Sequence, residues 1–273
     1  MVLRVDAMRS DAGAQFRRDG WCRLPWARDV ADWGRAVRPF AVAAVADPTH
    51  AEWVRCGGTW FAGVNALGND ASGAVGGSGA MPQSVVSALD ALGLGAREWD
   101  RAQISVTYPG YPKPGEGESD AGFRFRRDRD AAHVDGLLPV GAARRRMLHE
   151  PHAFVLGLPL TETGAGASPL VVWCGSHERM RDALGAALQE HPAARWSEID
   201  LTDVYQDARR ACFERCERVE LHARPGEAYI VHRLALHGVA PWQEGAAAPP
   251  EGRMIAYFRP ELSAPVTRWI ADP

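Results

Sequence analysis

The stretch AAHVDGLLP, residues 131–139, sets an imidazole and a carboxylate two positions apart, at His133 and Asp135. On a half-buried strand that spacing puts both side chains on one face, because successive residues alternate. A neutral imidazole nitrogen and a carboxylate oxygen are both metal donors, so the pair can present two ligands to one ion. The same pair at an exposed strand end would be an ordinary solvated couple, and the rest of the chain has to decide between the two.

A second source of donors is RPGEAYIVHRLALHGVAPW (224–242), which carries His232 and His237 behind a Pro-Gly turn. Five positions apart, they project to opposite faces of a regular strand, so at most one can join His133 and Asp135. His237 precedes Gly238, a residue suited to a tight bend beside a bound ion. Two histidines and one carboxylate make the facial set that holds iron(II) with three positions open, whereas a zinc site is more often tetrahedral.

A third element is Arg253 in EGRMIAYFRP (251–260), where alternation puts Arg253, Ile255, Tyr257 and Arg259 on one face and Met254, Ala256 and Phe258 on the other. An arginine on an inward face is costly unless paired. Its planar fork matches a carboxylate bidentately, so Arg253 near an ion predicts a dicarboxylic ligand. A salt bridge to a protein carboxylate is the other outcome. Arg259 adjoins Pro260 and is expected in solvent at the strand end.

These residues need a frame. From residue 101 onward the chain becomes short alternating runs separated by Gly and Pro turns: AQISVTYPG, HAFVLGLPL, PLVVWCGSH, EAYIVHRLALHG and RMIAYFRP. That texture predicts an antiparallel sandwich or jelly roll. HERMRDALGAALQEHP interrupts it as a helix, and GAAAPPEG (245–252) reads as a long hairpin loop. Upstream, the pattern predicts a helix, a turn at Asp19-Gly20, a strand around Trp21–Leu24, a helix to about Val45 and another over QSVVSALDALGL. The Gly-rich loop 66–80 lacks the Gly-Lys-Ser/Thr that phosphate binding requires. The expected fold is mainly β with flanking helices: a single domain over 1–273, with a helical N-terminal part, about 1–100, packed on a β core of about 101–262.

Composition narrows the partners. With 273 residues, 46% of them hydrophobic, one large core can form. Thirty-one basic against 34 acidic residues give a net charge of −3, so no field points to nucleic acid or to an anionic membrane. A small-molecule substrate is the expectation. Five scattered cysteines argue against a disulfide framework, and with no signal-like start and no long apolar run the expected location is cytoplasmic. Cys212 and Cys216, at helical spacing, read as packing, and His149 and His152, separated by Pro151, as structural.

The order HVD, GASPLVVWCGSH, PGEAYIVHRLALHGVAPW, RMIAYF, preceded by FRRDGWCRLP, resembles the iron(II)/2-oxoglutarate-dependent dioxygenases, in particular their phytanoyl-CoA dioxygenase-like branch, over roughly residues 15–260. The resemblance implies a double-stranded β-helix core, a jelly-roll, cupin-like fold. It implies that His133, Asp135 and His237 bind iron(II), and that Arg253 binds the distal carboxylate of 2-oxoglutarate. Gln103 and Thr107, on one face of AQISVTY, are candidates for a second cosubstrate contact. Dioxygen would be the oxidant and hydroxylation of an unactivated carbon the outcome, because related halogenases have a small residue where Asp135 stands. Desaturation or ring formation stays open. The sequence departs from the pattern in two places: Arg253 follows His237 at a longer interval than in many members, and GAS replaces the usual Asn-Gly turn. Arg144, Arg145 and Arg146 fall where such folds place loops over the active-site mouth, and Arg145 is the candidate clamp for an anionic substrate, a solvated basic loop being the alternative. Two other functions fit the residues: a cupin-like metal-dependent hydrolase or isomerase, which needs no Arg253, and a non-catalytic small-molecule binding protein.

Overall fold

The alternation in RMIAYF becomes two different interiors in the computed structural model, which describes residues 2–95, 98–262 and 265–271. The strands are β1 (Trp21–Leu24), β2 (Val54–Arg55), β3 (Trp60–Gly63), β4 (Gln103–Thr107), β5 (Leu137–Val140), β6 (Arg145–Leu148), β7 (Phe154–Pro159), β8 (Leu170–Trp173), β9 (Arg218–Leu221), β10 (Ala228–His232), β11 (His237–Val239) and β12 (Arg253–Phe258). The helices are α1 (Val2–Asp19), α2 (Arg28–Ala46), α3 (Gln83–Ala91), α4 (Asp120–Asp128), α5 (Ser176–Gln189) and α6 (Thr202–Arg215). A seven-stranded sheet has the order β1-β10-β7-β12-β4-β3-β2, a second sheet the order β11-β8-β9, and β5-β6 form a hairpin. Every named strand pair is antiparallel. This is the jelly-roll arrangement the sequence predicts.

Period-two patterning sorts the apolar residues into layers. Met254, Ala256 and Phe258 of β12, Phe154, Leu156 and Leu158 of β7, and Ile104 and Val106 of β4 form one core with Trp33 and Val37 of α2 and Leu89 of α3. Helix α2 reaches that core because Val30, Trp33, Val37 and Ala41 recur at helical spacing and are its buried stripe. The opposite face of the same strands, with Val155, Tyr229, Ile255 and Tyr257, meets Leu170 and Val172 of β8 in a central core. The far face of β8, Val171 and Trp173, packs on Met180 and Leu184 of α5 and Cys212 of α6. The order is helices, large sheet, small sheet, helices.

Two expectations change. The first hundred residues, expected to be helical apart from the strand at Trp21–Leu24, also supply β2 and β3, so that with β1 they give three strands of the large sheet. The reason is edge protection: β1 pairs β10, Trp21 opposite Val231, and β3 pairs β4, Trp60 opposite Thr107, so neither core strand leaves open N–H groups. The HVD segment is also not a strand. Asp130 and Ala131 sit at φ of 54° and 52°, and only a single bridge, His133 to His237, follows.

Candidate metal centre

That bridge joins the first histidine to the second. His133 N–H donates to the His237 carbonyl at 2.8 Å and His237 N–H to the His133 carbonyl at 3.0 Å. Asp135, two residues on, turns to the same side, its Oδ1 3.3 Å from His133 Nε2 and 3.8 Å from His237 Nε2. One ligand atom from each of the three lies within 4.8 Å of the others. Bonds of about 2.1 Å at right angles would separate donors by about 3 Å, so the cluster needs only small side-chain movements to close on an ion. His232 faces away, its ring 5.0 Å from that of His177, because the chain turns between it, at the end of β10, and His237, at the start of β11.

The backbone fixes which nitrogens are offered. His133 Nδ1 lies 3.0 Å from the Ala131 carbonyl and His237 Nδ1 2.9 Å from the Ala235 carbonyl. A proton on each Nδ1 makes those contacts hydrogen bonds and leaves both Nε2 lone pairs toward Asp135, the supporting arrangement of metal-bound histidines. Burial pushes His237 down to about 4, against the pull of Asp135, so its imidazole is neutral at ordinary pH. Burial opposes the Asp135 charge, yet the nearby His133, Arg259 and His237 hold its carboxyl well below the usual range. The donor set is two imidazole nitrogens and one carboxylate oxygen.

Residues distant in sequence hold this geometry. Arg218 grips the Asp130 carboxylate with two bonds of 2.8 and 2.9 Å, pinning the left-handed turn before His133. The Tyr205 hydroxyl accepts from the Val134 N–H, between the two ligands, at 3.3 Å. Gly238 is required by contact: a Cβ there would stand 2.2 Å from the Asp130 carbonyl oxygen. Its backbone is not in the left-handed region, so close approach, and not a tight bend, accounts for the glycine.

The three ligands line a cavity of about 220 Å³ with Trp53, Arg55, Trp60, Gln103, Ser105, Tyr257 and Arg259. Asp135 is 8% exposed, whereas the His133 side chain is 49% exposed, so solvent reaches the cluster from the His133 side. Arg253 is buried, 4% exposed, and its Nη2 donates to the Tyr257 hydroxyl at 3.4 Å. Tyr257 is four residues on along the same strand face and lines the cavity, whereas Arg253 and Thr107 are not among the residues that line it. The Tyr229 hydroxyl donates to Tyr257 at 2.8 Å, and Gly157 makes room for the Tyr229 ring. Among the described residues no carboxylate pairs with Arg253, and its Nη1 is buried without a partner. Thr107, opposite it in register, is likewise buried with an unpartnered hydroxyl. Two orphaned donors on a buried cation's side of the sheet fit a bound carboxylate.

Other candidates fall elsewhere. Gln103 lines the cavity, but Arg145 does not: it pairs with Asp200 and its side chain is 61% exposed. The anionic-clamp expectation for Arg145 therefore has no geometric support, because the β5-β6 hairpin turns it toward the loop before α6. Arg259, expected in solvent, is folded inward at 20% exposure with Nη1 3.7 Å from Asp135 Oδ2. Its backbone N–H donates to both Asp100 carboxylate oxygens, which carries the strand direction past Pro260's boundary. Cys212 and Cys216 are free thiols at the α6 terminus, and neither they nor His149 and His152 line the cavity. No helix among the described residues is long and apolar enough to cross a membrane.

No protein-family model matches the sequence, and no curated protein matches it. Solved structures do. The chain is similar to the non-heme alpha ketoglutarate dependent epimerase SnoN from nogalamycin biosynthesis, with 14% identity over 93% of this chain and 84% of that one at a TM-score of 0.50. SnoN in complex with Fe3+, alpha ketoglutarate and nogalamycin RO gives 15% identity, the same coverage and a TM-score of 0.52. EvdMO1 gives 13% identity over 94% of this chain and 50% of that one, at 0.51. At these identities the likeness establishes the fold, a double-stranded β-helix of the kind that SnoN builds.

Proposed function

We propose that the protein is a non-haem iron(II)- and 2-oxoglutarate-dependent oxygenase acting on a small molecule, with hydroxylation of an unactivated carbon as its reaction. The observation that carries this is the pairing, in one fold, of a two-histidine, one-carboxylate cluster, in which Asp135 and His237 are buried, with a buried arginine whose fork lacks a protein carboxylate. A hydrolase or isomerase would use the cluster but would have no need of that arginine.

In this reading His133, Asp135 and His237 would hold iron(II). With 2-oxoglutarate and dioxygen, the ion supplies oxidation of the substrate carbon, and succinate and carbon dioxide are the coproducts. Arg253 and Thr107 would anchor the distal carboxylate, with the Arg253 Nη2 held by the Tyr257 hydroxyl, which in turn accepts from Tyr229. Val155, Leu170 and Val239 make that part of the wall apolar and keep water from the reacting carbon. Asp135 occupies the position through which a halide would otherwise enter, which favours return of a hydroxyl. The SnoN likeness keeps epimerisation within the same chemistry as a second outcome.

Protein loaded with iron(II) should convert 2-oxoglutarate to succinate in a dioxygen-dependent manner, and His237→Ala should abolish the conversion. Full iron occupancy without succinate would sink the proposal.

A further inference from the structure

Arg259 is the inward-folded cation of the cavity that neither metal binding nor cosubstrate binding absorbs; the other, Arg55, is exposed, gives its Nη1 to the Glu52 carbonyl and lies over the Trp53 ring. The Arg259 side chain lines the cavity beside Asp135, and its Nε is buried without a partner. The nearest carboxylate oxygen, of Asp135, is 3.7 Å away, beyond a good hydrogen bond. Asp100, close behind, is committed to the Arg259 backbone N–H through both oxygens at 3.0 Å.

Charge bookkeeping for the loaded site extends the point, and it rests on the oxygenase reading above. Iron(II), Arg253 and Arg259 bring four positive charges. Asp135 and 2-oxoglutarate bring three negative ones, and His133 and His237 enter as neutral ligands. Within the lining that leaves the partly buried Arg259 guanidinium, with Asp100 as its remaining protein counter-charge and its Nε still without a partner. With Asp135 bound to iron, Arg259 also loses most of the attraction of the carboxylate it now faces. The rest of the wall sets the polar side chains of Gln103 and Ser105, the latter accepting the Trp60 indole N–H at 3.0 Å, among Trp53, Trp60, Val155, Leu170 and Val239.

We propose that the substrate is a small hydrophobic carboxylic acid whose carboxylate pairs with Arg259 while its ring or chain lies against Trp60, Leu170 and Val239. The planar fork favours a carboxylate bidentately, and a cavity of about 220 Å³, shared with the cosubstrate, limits the acid's size.

The test uses the anaerobic protein with iron(II) and 2-oxoglutarate and probes it with 3-phenylpropionate and indole-3-acetate against their primary amides, read by tryptophan fluorescence quenching. The acids should bind at least about tenfold tighter than the amides, the scale of one charge-assisted pair. Arg259→Gln should erase that preference and Arg259→Lys should keep part of it. The 2-oxoglutarate concentration that half-forms the visible iron–keto acid absorption should shift less than about twofold in Arg259→Gln, far below the loss expected of a buried pair. Failure of both acids to bind, equal binding of acids and amides, or a preference that survives in Arg259→Gln overturns the assignment. A tenfold rise in the 2-oxoglutarate requirement also overturns it, by giving Arg259 to the cosubstrate. If wild-type protein forms no absorption at all, the oxygenase reading itself has failed, and this inference falls with it.

Discussion

The two faces of β12 are both buried, yet they are built from different chemistry. Toward the helices stand Met254, Ala256 and Phe258, all at most 1% exposed, packed among Phe154, Leu156 and Ile104. Toward the small sheet stand Arg253, Ile255 and Tyr257, with Arg259 one step beyond the strand. The first face is satisfied by contact alone. The second holds a guanidinium and a threonine hydroxyl with unmet hydrogen-bonding capacity, a state that costs stability and that a bound anion would relieve. One strand thus separates what holds the molecule together from what the molecule does, and substitutions on the two faces should fail in different ways.

The sharpest separation comes at the metal cluster. Asp135→Ala or His237→Ala should lower iron affinity by more than the roughly 10–100-fold that loss of a supporting hydrogen bond costs, with the unfolding midpoint of the metal-free protein little changed. Equilibrium dialysis and denaturant titration read the two quantities. Phe258→Ala should do the reverse: a cavity in the outer core should remove about 3–5 kcal/mol of stability while iron affinity stays as in wild type. If Phe258→Ala weakened iron binding as much as a ligand variant, the two faces would not be independent.

Arg253→Met tests the inner face with a smaller effect. Truncating one member of a buried charge pair costs roughly 2–5 kcal/mol of binding, so calorimetry should show 2-oxoglutarate affinity falling accordingly. Stability should hold or rise, because an apolar side chain replaces an unpaired buried charge. A large loss of stability without loss of cosubstrate affinity would mean that Arg253 is structural.

How far the sequence carried the account differs along the chain. The faces of β12 were legible because six residues alternate without interruption and the strand is buried on both sides. Only one of His232 and His237 reaches the cluster, but because they end β10 and begin β11 in different sheets, and not because they alternate on one strand. The HVD segment was misread as a strand because nothing local marks the left-handed pair Asp130–Ala131, and its restraint, Arg218, lies 88 residues away. Tyr205 is equally remote. Arg259 was misplaced because Pro260 signals a strand end, while the Asp100 carboxylate that holds its backbone inward comes from before β4. Strand β3 was missed because WFAG is short and set among glycines. Local periodicity is visible in a sequence; long-range hydrogen bonds are not.

A pH titration should give the smallest effect and involves neither face of β12. Burial is the main cause lowering His232 well below its ordinary value and the main cause lowering His177. In the unfolded chain both would take up protons near pH 6.5. Because the unfolded state then binds more protons, stability of the metal-free protein should fall as pH drops below about 6.5. His232→Asn should flatten that slope in thermal melts between pH 7 and 5. An unchanged slope would remove His232 from the explanation.

The central claim, that one cavity holds iron at His133, Asp135 and His237 and a keto dicarboxylate against Arg253, has a direct optical test. Iron(II) is added anaerobically to metal-free protein, followed by 2-oxoglutarate, and the weak visible charge-transfer absorption of a chelated keto acid is recorded. The account predicts the absorption in wild type, its loss in Asp135→Ala, and its return only at much higher 2-oxoglutarate in Arg253→Met. No absorption from wild-type protein with iron demonstrably bound would contradict the account and direct attention to zinc and hydrolytic chemistry.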